Sequence, residues 1–195
     1  MLENNDNKQR DEAGTAKQTR AFAAYYGLWI GICWALSFGL FIAGLSRPLL
    51  GNIGLLTGVC SFPLGVRLLR GFRDHIAPLP LRRAWHLSWM MFLAAAMICT
   101  AVQYIYFAYF DNGLLVRTYT DILQQPEMQD LVARMMPGQN GIEMMNDAVN
   151  IFAATPPSQL AFQFLFWNVL LATVLALPAA LMAKGEPQSV NPYIR

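Results

Sequence analysis

Three residues in the first half of the chain have the types and spacing for chemistry at a phosphate. Arg67, Arg70 and Asp74 follow the i, i+3, i+7 rule of one helical face, with Arg73 beside them. An arginine fork matches phosphate geometry, so this group is a candidate contact for a lipid headgroup or a partner. The plainer reading is that the arginines anchor the end of an apolar helix and Asp74 pairs locally with Arg70. A second set lies inside apolar runs: Thr100 and Gln103 one turn apart, and Gln163 and Asn168 further on. Amides held in lipid need partners, so they either line a polar path or bond between helices. No Asp, Glu, Lys or His stands near the middle of an apolar run, which argues against an ion-coupled transporter. His75 and His86 have no Cys or His nearby to complete a metal site. Asp111, Asp121 and Asp147 are spaced unlike any calcium loop, and helix ends explain them more simply. The chain has no phosphate-cradling glycine loop, no HExxH and no GxSxG. No catalytic residue, metal ligand or cofactor is therefore assigned, and the chain reads as more a binding protein than an enzyme.

The elements that position these residues are dictated by composition. Of the 195 residues 55% are hydrophobic and 13% charged, against ~25% charged in a typical soluble domain. The charges crowd the first 20 residues, the stretch 67–83, the segment 111–147 and the end of the chain. The basic residues close apolar runs instead of lining one surface, so nucleic acid is not an expected partner; the lipid bilayer is. Cys33, Cys60 and Cys99 all fall inside apolar runs and read as small buried side chains.

Four runs are long enough to cross a hydrocarbon core of about 30 Å. The fold class expected is all-α, a polytopic membrane protein with spans at about 23–45, 49–69, 84–110 and 159–183. A flexible tail, 1–22, precedes the four-helix domain of 23–185, and a short tail, 186–195, follows it. The first run is too long for a signal-peptide core and is expected to be retained. Gly27 and Gly31 in span one, and Gly54 and Gly58 in span two, are four apart and suit close helix packing. Pro63 predicts a kink whose freed carbonyl Thr57 or Ser61 would satisfy. Trp85 and Trp89 mark one interface of span three, and Tyr104, Tyr106 and Tyr109 the other.

Between spans three and four, residues 111–158 predict a helical hairpin. Ile122, Met128, Leu131, Val132 and Met135 lie at helical spacing, as do Ile142, Met145, Val149 and Phe152, with a turn at 137–141 between. Eleven Lys and Arg fall in the two tails and the loop between spans two and three, against three on the other side. Positive residues favour the cytoplasm, so both termini are expected inside and the hairpin outside.

The order of features resembles the bacterial integral membrane family known as domain of unknown function 4199. The resemblance rests on Tyr26-Gly27 opening span one and the Arg70-Gly71-Phe72-Arg73-Asp74 run closing span two. It rests also on Tyr104-Ile105-Tyr106 before Phe110-Asp111, and on Ala183-Lys184 at the end of span four. It covers most of residues 22–185. The chain departs from the pattern at Pro78-Leu79-Pro80-Leu81, where a glycine-containing link is expected. The resemblance implies a four-helix protein of the inner membrane with no established activity, cofactor or catalytic residue. It also points to a lipid-linked-sugar glycosyltransferase as a partner. The function expected is a non-catalytic accessory or partner-binding subunit. The alternative is a small lipid or small-molecule transporter or channel, and the third reading is a lipid-headgroup enzyme using Arg67, Arg70 and Asp74.

Overall fold

The computed structural model describes residues 2–75, 78–136 and 140–185. Across these the chain forms α1 (Leu2–Gly44), α2 (Pro48–His75), α3 (Leu81–Tyr109), α4 (Leu114–Leu123), α5 (Pro126–Met135), α6 (Gly141–Ala154) and α7 (Pro157–Ala183). Four helical stretches are long and apolar enough to cross a membrane: Lys17–Gly44 within α1, and all of α2, α3 and α7. They match the four expected spans, with ends displaced by a few residues. The polar residues before span one continue α1 back to Leu2, since no proline precedes Pro48 to interrupt the helix. The expected tail at 186–195 lies outside the described residues.

The four long helices close into a ring in the order α1, α2, α7, α3. α3 packs heavily on α1 and α7 and scarcely touches α2, while the α2–α7 side is the sparsest of the four. Small residues set the tight sides. A Cβ on Gly27 would lie 2.6 Å from the Ala94 Cβ and 2.7 Å from the Met91 carbonyl, so α1 and α3 are in backbone contact there. A Cβ on Gly31 would lie 2.9 Å from the Ile98 Cβ, Gly54 lies against Ser37, Leu40 and Phe41 of α1, and Gly58 lies against the Ser37 hydroxyl. The α7 face is a stripe of alanines, Ala172, Ala176, Ala179, Ala180 and Ala183, none exposed at all. It packs mainly on α3, whose buried face carries Ala84, Ser88, Ala95 and Ala96. Flexible-chain interdigitation gives way here to close backbone approach, the usual mode where lipid supplies no hydrophobic drive between helices. Larger side chains fill the ring's interior: Ile30, Leu69, Phe72, Leu87, Met91 and Phe92 are fully buried.

The segment between spans three and four differs from the expected hairpin: it holds three short helices, not two. The predicted first helix is broken at Gln124 and Gln125. Pro126 follows, and the ring of a proline drives the residue before it out of the helical region. Gln125 is accordingly extended, at φ −70° and ψ 133°, and α5 starts afresh with Pro126 in its first turn. The turn expected at 137–141 lies largely outside the described residues, and Asn140 and Gly141 open α6. This segment rests on the bundle through aromatic rings. Phe152 of α6 meets Phe107 of α3 edge-on at 5.8 Å, and Phe107 stacks on Phe164 of α7 at 5.4 Å.

Candidate functional site

The α2–α7 side of the ring holds a cavity of about 650 Å³. Its back wall is Trp34, Ser37 and Phe38 of α1 and Cys99 and Gln103 of α3; α2 contributes Gly58, Ser61 and Pro63, and α7 contributes Asn168, Leu171 and Leu175. Leu55 and Val59 of α2 and Leu171 of α7 line it while being exposed, so it opens sideways between those two helices. Pro63 sits mid-helix on the wall. It lacks the N–H that would bond the Val59 carbonyl one turn back. Thr57 and Ser61 were the hydroxyls expected to satisfy that carbonyl, and each has its single proton committed elsewhere, to Ile53 and Gly58 respectively.

One polar cluster reaches across the cavity's inner wall. The Asn168 side-chain amide donates to Thr100 Oγ1 at 3.1 Å and to Gln103 Oε1 at 3.0 Å, joining α7 to α3. Of the four intramembrane polar candidates, three thus come together. Gln163 stands apart, exposed on α7. A second polar tie was not anticipated: Trp34 Nε1 donates to the buried Ser61 hydroxyl at 2.8 Å, and the same indole stacks on Phe92. It fixes α1 to α2 at the cavity wall.

The arginine group lies at the opposite end from α4–α6 and is arranged differently from the expected pairing. Asp74 forms its ion pair with Arg73, at 2.7 Å, through the long reach of the arginine along the helix. Arg70 Nε instead donates to the Met182 carbonyl at 3.1 Å, and Arg73 Nη1 to the Ala183 carbonyl at 3.4 Å. These are last-turn carbonyls of α7, left without intrahelical partners and bearing the negative end of the helix dipole. Both arginines therefore cap α7. Arg67 is exposed on the same helix. The departure from the family pattern has its place here too. Leu79, fully buried, exchanges two backbone hydrogen bonds of 3.1 Å with Gly185, locking the loop after α2 onto the end of α7. Arg83 completes this end by donating to Thr19 and lying 5.2 Å over the Phe72 ring.

Asp111 is a capping residue. Its carboxylate accepts from the Gly113 and Leu115 amides at 3.1 and 3.4 Å and from the Tyr106 hydroxyl at 3.0 Å. Asn112 and Gly113 take left-handed φ of 45° and 76°, which brings the chain around so that α4 can start. Among the described residues no three His, Cys, Asp or Glu side chains cluster as a metal site would require.

Four long apolar helices closed into a ring, with Asn168, Thr100, Gln103, Trp34 and Ser61 bonded between them, define a helical membrane protein of several spans. The chain belongs to the family described as protein of unknown function (DUF4199), whose model matches residues 25–185. No curated protein and no solved structure matches it.

Proposed function

We propose that this protein is a small lipid or small-molecule carrier of the membrane, which takes its ligand between α2 and α7 and performs no covalent chemistry on it. The observation that carries this reading is the cavity. At about 650 Å³ it lies within the range typical of ligand sites, ~300–1,000 Å³. It also gathers the features a carrier needs: a lateral opening, a proline in the wall, and the Gln103–Asn168 amides. The engagement of Arg70 and Arg73 at the end of α7 weighs against the headgroup-enzyme reading. The accessory-subunit reading keeps one specific observation in its favour: Met135, Met144, Met145 and Ile151 are exposed on the short helices, a soft apolar surface that a partner would cover.

In this reading the protein sits in the bacterial inner membrane with both termini in the cytoplasm. The eleven-to-three distribution of Lys and Arg supports that orientation. The test is flux of a fluorescent lipid analogue between leaflets of proteoliposomes. Flux above protein-free vesicles is expected, lost in Leu171→Trp, which fills the mouth, and in Gln103→Leu. It should be kept in Leu177→Trp, a lipid-facing control outside the cavity. Flux no greater than in empty vesicles, together with a stoichiometric partner found by in-cell crosslinking, would transfer the conclusion to the accessory subunit.

A further inference from the structure

Resting on the carrier reading, we infer that the cavity selects an uncharged single-chain lipid whose ester or amide carbonyl is flanked by a hydroxyl, monoacylglycerol being the simplest of the class. The argument starts from which protons are left over. Ser37 commits its proton to the Gly54 carbonyl, Ser61 to Gly58, and Trp34 to Ser61. Asn168 uses both N–H groups, on Thr100 and Gln103. Among the described residues lining the cavity, the Gln103 amide is then the side-chain nitrogen that still has two protons to offer, and Asn168 Oδ1 is an acceptor beside it with both lone pairs unused. The two amides are joined by the Asn168–Gln103 hydrogen bond, so the free donor and the free acceptor stand on adjoining side chains. Turning both amides over would exchange their roles and preserve the pair.

A group that meets both at once carries an acceptor and a donor a few bonds apart, as the ester carbonyl and the neighbouring hydroxyl of a monoacylglycerol do. The rest of the lining narrows the class. It contains no Asp, Glu, Lys, Arg or His. An ionised head would be desolvated there without a counter-charge, at a cost that excludes it. Elsewhere the wall is aromatic and aliphatic, which suits an acyl tail leaving by the Leu55, Val59 and Leu171 mouth. Room sets the number of chains. At roughly 30 Å³ per heavy atom, close to the share of a water molecule, the space holds about twenty. Monooleoylglycerol has about 25, so its head and most of its one chain fill the space while the tail end reaches the mouth, and a second chain has no room.

The experiment is native mass spectrometry of the full chain in mild detergent, with 1-monooleoylglycerol, methyl oleate and oleate added at matched mole fraction. Monooleoylglycerol should bind one to one, at least tenfold more tightly than methyl oleate, which lacks the hydroxyl, and than ionised oleate. Gln103→Met, close to glutamine in volume, should weaken monooleoylglycerol roughly tenfold, the loss expected for about one buried hydrogen bond. It should weaken methyl oleate to a similar degree, because the ester carbonyl that the Gln103 amide meets is common to both lipids. The comparison of the three lipids on the unaltered chain decides the matter even where the variant fails to fold. If all three bind alike and Leu171→Trp blocks them all, the ligand class is wrong and the cavity remains a site. If binding of all three is indifferent to Leu171→Trp, the class and the carrier reading fall together.

Discussion

At the scale of single residues, the bundle depends on a few polar groups that have found one another in an apolar medium. Asn168 joins two helices, bridging to Thr100 and Gln103. Interhelical hydrogen bonds in membranes contribute about 1 kcal/mol, so Asn168→Leu should lower stability by about that amount in a reversible denaturation in detergent. Gln163→Leu should leave it unchanged. Ser61→Ala should cost more, about 1–3 kcal/mol, because the buried Trp34 N–H would be left without an acceptor. How much of this was legible in the sequence depended on the partner's nature. An amide inside an apolar run announces that it needs another polar side chain, and few were available, so Thr100, Gln103 and Asn168 could be named. Arg70 and Arg73 bond to backbone carbonyls at the end of α7, and a carbonyl leaves no mark on the sequence. The local Arg70–Asp74 pair was the natural inference from spacing alone, and the more distant acceptors prevailed.

Helices are held at two kinds of junction. The first is close approach. Gly27→Val would place branched carbons into Ala94 and the Met91 carbonyl, so α1 must leave α3. We expect a loss above about 2 kcal/mol, in the range of overpacked core positions, whereas Gly39→Val, which has nothing within 4 Å, should be silent in the same assay. The second is capping. Asp111→Ala removes the acceptor for two amides and for Tyr106, and should weaken α4 by about 1 kcal/mol. Faster hydrogen exchange confined to 113–123 would show it; unchanged exchange there would refute the capping role. The long helices were readable because their hydropathy persists over more than 20 residues. The short ones were readable from their apolar period as two helices, and the break that makes them three was not placed. Two signals were nonetheless present. Pro126 marks a helix start, and Ala172, Ala176, Ala180 and Ala183 recur at helical spacing as plainly as the paired glycines do.

For the whole molecule, the arrangement of charges and the ring of helices make separate statements. Orientation is tested by labelling: with Cys33, Cys60 and Cys99 replaced, a cysteine at Met144 should react with a membrane-impermeant maleimide added outside intact cells. A cysteine at Lys184 should react only after the membrane is opened. The reverse pattern would invert the topology. The ring also has a direction in time. Spans one to three leave the ribosome first, and α3 then presents Thr100 and Gln103 on the side where α7 will pack. α7 begins only at Pro157, 47 residues after Phe110. Until it arrives, the Gln103 amide faces lipid or the insertion machinery with its partner Asn168 still unmade. During synthesis the three-span intermediate is therefore the vulnerable species. The quality-control systems of the membrane would meet this protein as an incomplete ring, and stalling within α4–α6 would strand it there.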